Sequence, residues 1–402
     1  MDYILLEKLY YKDRKKYENE YLNRFNSIST VKLNIEINKN QAFFIITPEM
    51  TNQIIEINEV NNRLNDMTNT LPGIALNQYI KKCLIDEIVL TNEIEGVIST
   101  RRDINEILEN VKHTEDHRRL LGLVNKYMKL NSDEKLSIRN CQDIRDIYKE
   151  LLWEEILNDD PANLPDGVYF RKNGVDVKSK FGKVIHKGIM PEDEINRIMT
   201  KALDILNDNN IAILFRIAIF HYLFGYIHPF YDGNGRVSRF ISSYLLSKNL
   251  NILTGFRLAY TIKENISLYY TGFKTVNEEK NKGDITPFII SFFDIIIKML
   301  NKLCSSLSER IELIDYYYEI SHKISDKDSE RSIIFILFQQ TLFGELGIGI
   351  NDLIEASEES EYKVRQTVNK LKELGLLKEE KLGKKPLYSF DMKVVANEYC
   401  EN

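Results

Sequence analysis

His228-Pro-Phe-Tyr-Asp-Gly-Asn-Gly-Arg-Val-Ser-Arg239 lies between two mostly apolar runs, residues 211–227 and 240–246. Apolar runs of that length read as buried helices, and the polar segment between them reads as a short loop. Pro229, Gly233 and Gly235 break any helix through the loop, and the residues after Gly235 can restart one. Glycines let bare backbone N–H groups come close to a ligand. A helix starting beside them adds partial positive charge, and successive N–H groups form an anion nest. Arg236 and Arg239 share one helix face, so both could meet one polyphosphate. Asp232 offers a hard oxygen ligand for magnesium, Asn234 an amide donor, and His228 the usual general base near neutral pH. A base, a metal ligand, an anion nest and an arginine pair are the parts a phosphoryl-type transfer needs.

The string resembles the signature of the Fic family, His-Pro-Phe-x-Asp-Gly-Asn-Gly-Arg-x-x-Arg, at every fixed position. The resemblance implies AMP transfer from ATP to a hydroxyl of a target protein, a Ser, Thr or Tyr, or of the chain itself. It implies that His228 deprotonates that hydroxyl and that Asp232 holds Mg²⁺. Gly233, Asn234 and Gly235 would cradle the α- and β-phosphates, and Arg236 and Arg239 the β- and γ-phosphates. A divergent branch with Lys in place of Gly235 runs a kinase reaction; Gly235 here favours adenylyl transfer.

The 402 residues suffice for two or three domains, and 43% hydrophobic with 28% charged residues is ordinary for a globular protein. A net charge of −6 provides no global basic field for nucleic acid. Cys83, Cys141, Cys304 and Cys400 are far apart and read as reduced thiols. No segment reads as a signal peptide or membrane span, so a cytoplasmic location is expected.

Residues 1–70 read as an N-terminal extension with a β-hairpin over 31–47. Residues 76–96 form an amphipathic helix closed by Gly96. By pattern alone Glu95 is a surface carboxylate there. The resemblance implies more: Thr91, Glu95 and Gly96 fit the Ser/Thr-x-x-x-Glu-Gly pattern of an inhibitory helix. Glu95 would then occupy Arg239 and hold the enzyme off at rest. Further helices follow over 101–111 and 143–157, their charged residues reading as solvated faces. His113 and His117 have the spacing of a metal pair, but no third ligand is evident.

Residues 168–186 suggest a hairpin with a glycine turn. The resemblance makes it a flap that pins the target by strand addition, with Val175 and Val177 as its strand. It also suggests that Tyr270 and Asn277 line an adenine pocket, although an aromatic stripe is more often core. A long apolar helix is expected over 285–307 and a helical connector over 309–328.

Residues 331–391 read as three helices and a two-stranded wing, resembling a winged helix-turn-helix. The third helix carries Lys363, Arg365, Lys370 and Lys372, and the wing Lys381, Lys384 and Lys385. Such a module docks DNA or protein, and Glu355, Glu358, Glu359 and Glu361 weigh against DNA. The expected fold is mainly α: a Fic-fold helical bundle with a β-hairpin flap, an N-terminal α/β extension and a C-terminal winged helix-turn-helix. Expected boundaries are 1–70, 71–305 (including helix 76–96) and 306–402. The sequence leaves open a homodimer, a DNA-binding regulator with the Fic core as sensor, and an enzyme that removes AMP.

Overall fold

The apolar runs and glycine breaks of the sequence become helices joined by short loops, and among the described residues the strands form three two-stranded antiparallel hairpins. The computed structural model describes residues 3–109, 115–132, 134–178 and 184–399. In chain order, α1 (Leu6–Lys12) and α2 (Arg14–Phe25) precede the hairpin β1 (Thr30–Ile37) and β2 (Asn40–Ile45). Then come α3 (Pro48–Thr70), α4 (Gly73–Ile94), α5 (Arg101–Leu108), α6 (Glu115–Met128) and α7 (Cys141–Asp159). The second hairpin, β3 (Asp176–Lys178) and β4 (Val184–Lys187), is followed by α8 (Glu192–Asn207), α9 (Ile213–Ile227) and α10 (Asn234–Asn249). Next are α11 (Leu258–Glu264), α12 (Ile266–Asn277), α13 (Thr286–Ile324), α14 (Asp328–Phe343), α15 (Ile350–Ser357) and α16 (Glu361–Glu373). The chain closes with β5 (Leu377–Leu382), β6 (Lys385–Phe390) and α17 (Met392–Tyr399).

Packing divides the chain into two units. One comprises Met1–Asn61, Glu87–Thr100 and Thr114–Leu300; the other Asn62–Asp86, Arg101–His113 and Asn301–Asn402. The division falls inside α3, α4 and α13.

The core of the first unit is α9, whose residues are almost all buried, from Leu214 to Ile227. A helix apolar all round must be enclosed by others. The β1–β2 hairpin turns at Asn38 and Lys39, both at positive φ, the geometry its tight turn requires. It joins this core: Asn38 Nδ2 donates to the Asn277 carbonyl at 2.8 Å, and the Asn38 backbone amide donates to Tyr226 Oη at 3.2 Å.

In the second unit, α14, α15 and α16 pack beside the β5–β6 hairpin. Ile348 bridges Tyr388 by two backbone bonds, at 2.8 and 2.9 Å, and so adds a one-residue partner to β6. The expected break between an apolar helix ending at 307 and a connector starting at 309 is not there. α13 runs for 39 residues because no glycine or proline interrupts 288–324. Cys83, Cys141 and Cys304 are buried; Cys400 lies outside the described residues. Among the described residues no helix is long and apolar enough to cross a membrane.

Candidate active site

The loop between α9 and α10 is shaped by its first residue. His228 caps α9 in a left-handed conformation, φ 53° and ψ 62°. Pro229 disfavours the right-handed alternative at the residue before it. Phe230 anchors the loop from beneath, fully buried and stacked on Tyr148 with ring centroids 3.9 Å apart. His228 is half-buried, and its Nδ1 faces the Gly225 carbonyl at 3.4 Å. A proton on Nδ1 leaves Nε2 with a free lone pair. Burial pushes the imidazole down to about 4; Arg171 and His186 act in the same direction, and the Gly225 carbonyl and Glu95 against it. The ring is therefore neutral at physiological pH, the form a base requires.

α10 begins two residues earlier than the glycine spacing suggests, with Gly233 as its cap at φ 80°. Only glycine adopts that conformation without strain. Asp232 Oδ1 accepts from the Gly233 amide at 2.5 Å, and the carboxylate remains partly exposed. Asn234 braces the loop: Oδ1 accepts from the Phe230 amide at 2.9 Å and Nδ2 donates to the Phe230 carbonyl at 2.8 Å. Arg236 is completely buried, with Nη1 on Glu155 Oε1 at 2.5 Å and Nη2 3.6 Å from Asp232 Oδ2. Its Nε and Nη2 make no hydrogen bond among the described residues.

Arg239 is gripped from the end of α4. Nε donates to Thr91 Oγ1 at 2.8 Å, and Nη2 donates to the Thr91 carbonyl at 3.0 Å and to Glu95 Oε1 at 2.7 Å. Gly96, at φ 79°, lets the chain leave the helix immediately after Glu95. Burial pushes the Glu95 carboxyl up, but the charge and hydrogen bond of Arg239 outweigh it and hold the carboxyl below its ordinary value. A side chain at Gly235 would overlap Glu95 Oε1, so this carboxylate lies against the glycine turn itself. Thr91, Glu95, Gly235 and Arg239 thus form one cluster.

The two arginines of the motif do not share a partner. Arg236 turns to Glu155 and Arg239 to Glu95. Val177 lies in β3 opposite His186, and Val175 just precedes it, its carbonyl accepting from the Gly188 amide at 3.0 Å. Residues 179–183, between β3 and β4 in the chain, lie outside the described residues. Tyr270 is 45% exposed on α12, while its neighbour Tyr269 points inward to His221 Nε2 at 2.8 Å. Asn277 accepts from Tyr222 Oη at 2.7 Å.

Three residues around the site escaped the sequence. Glu155 was expected on a solvated face but is 5% exposed. It occupies the buried stripe of α7 with Tyr148, Leu151 and Leu152, a helical spacing that marks it in retrospect. Glu87 is completely buried on α4, accepting from the Ala259 amide at 2.8 Å and from Ser243 Oγ at 3.3 Å. Its signal is a carboxylate inside an apolar run, residues 83–90. Arg171 is also completely buried and donates to the His228 carbonyl at 2.9 Å.

Among the described residues no group of three His, Cys, Asp or Glu could hold a metal on its own. His113 and the His117 side chain lie outside the described residues.

Residues 139–246 match the Fic/DOC family. The chain is 30% identical over 237 residues to "Protein adenylyltransferase Fic" of Drosophila erecta, a match covering 56% of this chain and 43% of that one. It is 31% identical to the protein of the same name from Drosophila willistoni, with the same coverage. The matched region thus spans less than half the length of these relatives. In fold it is similar to a Fic family protein from Desulfovibrio desulfuricans, with a TM-score of 0.54 and 19% identity over 87% of this chain and 98% of the other. The local motif, the helical frame that presents it and these likenesses agree: the chain carries a Fic domain.

Proposed function

We propose that this chain is a protein adenylyltransferase held off at rest by Glu95. The observation that carries the reading is the position of the Glu95 carboxylate: against Gly235, at the start of α10, and bonded to Arg239. An anion is already bound where backbone donors, a helix N-terminus and a buried guanidinium converge. A nucleotide triphosphate requires the same groups.

Released from Glu95, Arg239 takes the terminal phosphate, and the unbonded Nη2 of Arg236 faces an inner one. The half-exposed Asp232 carboxylate fits a single protein ligand to Mg²⁺ that arrives with ATP, the usual arrangement for magnesium. Bound magnesium would neutralise phosphate charge. His228 Nε2 takes the proton of the target hydroxyl, whose oxygen bonds to the α-phosphorus. The bond from the α-phosphorus to the bridging oxygen breaks, and pyrophosphate leaves. The half-exposed edge at Val175 and Val177 offers the target a strand to pair with, and Tyr270 and Asn277 flank the base.

The C-terminal helices and hairpin have the element order of a winged helix, which we read as a docking module. Its basic residues are largely engaged within their own unit. Lys385 pairs with Glu109 and Asp352, Lys370 with Glu330, Lys372 with Glu379, Lys363 with Glu359 and Arg365 with Glu361. That favours a protein partner over DNA.

The test compares wild type, Glu95→Gly and Glu95→Gly/His228→Ala with α-labelled ATP and cell lysate. The reading expects weak labelling, strong labelling and none, respectively. Equal labelling by the first two removes the inhibitory role of Glu95. Label loss from pre-modified protein, dependent on Glu95, would favour AMP removal instead.

A further inference from the structure

Arg171 is a buried cation held by backbone carbonyls. It has no carboxylate within ion-pairing distance among the described residues, and no part of it is exposed. A buried charge is costly unless its donors are satisfied. Here the acceptors are three backbone carbonyls. Nε donates to His228 at 2.9 Å, Nη2 to Ile189 at 2.8 Å, and Nη1 to Asn173. The Arg171 amide adds a bond to the Pro229 carbonyl at 3.2 Å. Asn173 and Ile189 flank the β3–β4 hairpin on its two sides, whereas His228 and Pro229 open the loop between α9 and α10. Two further backbone bonds tighten the same joint: Ile189 to the Ile227 carbonyl at 3.0 Å, and Gly188 to the Val175 carbonyl at 3.0 Å. Gly188 has room for no side chain, because a Cβ there would overlap Arg171 Nη2 and stand 3.2 Å from His228 Cβ.

We infer that Arg171 is a positioning residue that fuses the base of the β3–β4 hairpin to the backbone of His228, so that a target strand and the catalytic imidazole keep one register. This rests on the proposed adenylyl transfer. A planar guanidinium with five donors suits the task, since it meets carbonyls from three segments in one plane. Lysine keeps the charge but not the fork. The left-handed backbone of His228 is uncommon outside glycine and needs such surroundings to hold it. Arg171 also faces the imidazole as a charge, together with His186 on β4 and Glu95 at the end of α4.

The experiment uses the full chain carrying Glu95→Gly, and adds Arg171→Lys, Arg171→Met or Gly188→Ala. Three quantities are measured: the initial rate of label incorporation from α-labelled ATP, its half-saturating ATP concentration, and the His228 titration by NMR. Small displacements of a reacting group cost about 100-fold in rate. Arg171→Lys is expected to lose about that much rate while half-saturation by ATP stays within about twofold. Gly188→Ala should do the same with the charge intact. Arg171→Met should lose the rate and also raise the His228 titration, because a cation beside the ring is gone; Arg171→Lys should leave that titration unchanged.

Folded variants with the parent's rate and titration would overturn the inference. So would a loss confined to ATP half-saturation. Should the Glu95→Gly parent itself incorporate no label, the adenylyl-transfer reading fails. The NMR titration and the folded state of the variants then still decide whether Arg171 governs His228.

Discussion

Two carboxylates, one within α4 and one just past its end, meet opposite fates. Glu87 and Glu95 are eight residues apart, about 12 Å along a helix. Glu87 is completely buried, accepts two backbone N–H groups at the start of α11, and is pushed by burial up to about 7. Glu95 stands at the helix end, with its side chain 27% exposed, on the guanidinium of Arg239. The first satisfies backbone groups that nothing else satisfies, so it belongs to the fold. The second satisfies a side chain that a phosphate could satisfy equally well, so it can be exchanged. On the proposed reading, a carboxylate serves as a removable stopper when its partner has an alternative and its helix ends beside it.

The contrast can be broken experimentally at either end. The largest effect is expected at the base: His228→Ala in the Glu95→Gly background should lower label incorporation by about 100- to 10,000-fold. Next is Glu95→Gly itself. A charge-assisted hydrogen bond contributes about 1.5–3 kcal/mol, so freeing Arg239 should tighten ATP by about 10- to 150-fold in titration calorimetry. Glu87→Ala should leave ATP affinity near its parent value, yet destabilise the fold by about 1–3 kcal/mol by stranding buried N–H groups, read by chemical denaturation.

The smallest effect concerns pH. Glu87 has a raised folded-state value, so its protonated form is the one folding favours. Its stabilising contribution is complete below the unfolded value, near 4.5, and is lost as pH rises through about 7. Glu87→Gln does not titrate. Its melting temperature should therefore gain on wild type as pH rises from about 5 to about 7. A constant difference would mean that Glu87 does not titrate in that window.

The sequence exposed what is local. The loop from His228 to Arg239 could be read because glycine spacing, the proline and the arginine pair act within a few turns of chain. Glu95 was legible only through a family resemblance, since its partner lies 144 residues away. Glu155, 81 residues from Arg236, and Arg171, 57 residues from His228, left only faint marks. A glutamate on a buried stripe or an arginine after two aromatics looks like surface until its partner is known. Helix ends followed the same rule. The α13 boundary was misplaced because a change from apolar to charged composition was read as a break, although no glycine or proline interrupts the hydrogen-bonded ladder there.

The most direct measurement is titration of Mg²⁺-ATP into wild type, Glu95→Gly and Glu95→Gly/Arg239→Ala. The account predicts weak binding, binding at least about tenfold tighter, and loss of that gain, in that order. Equal affinity in wild type and Glu95→Gly, or a gain that survives removal of Arg239, would contradict it.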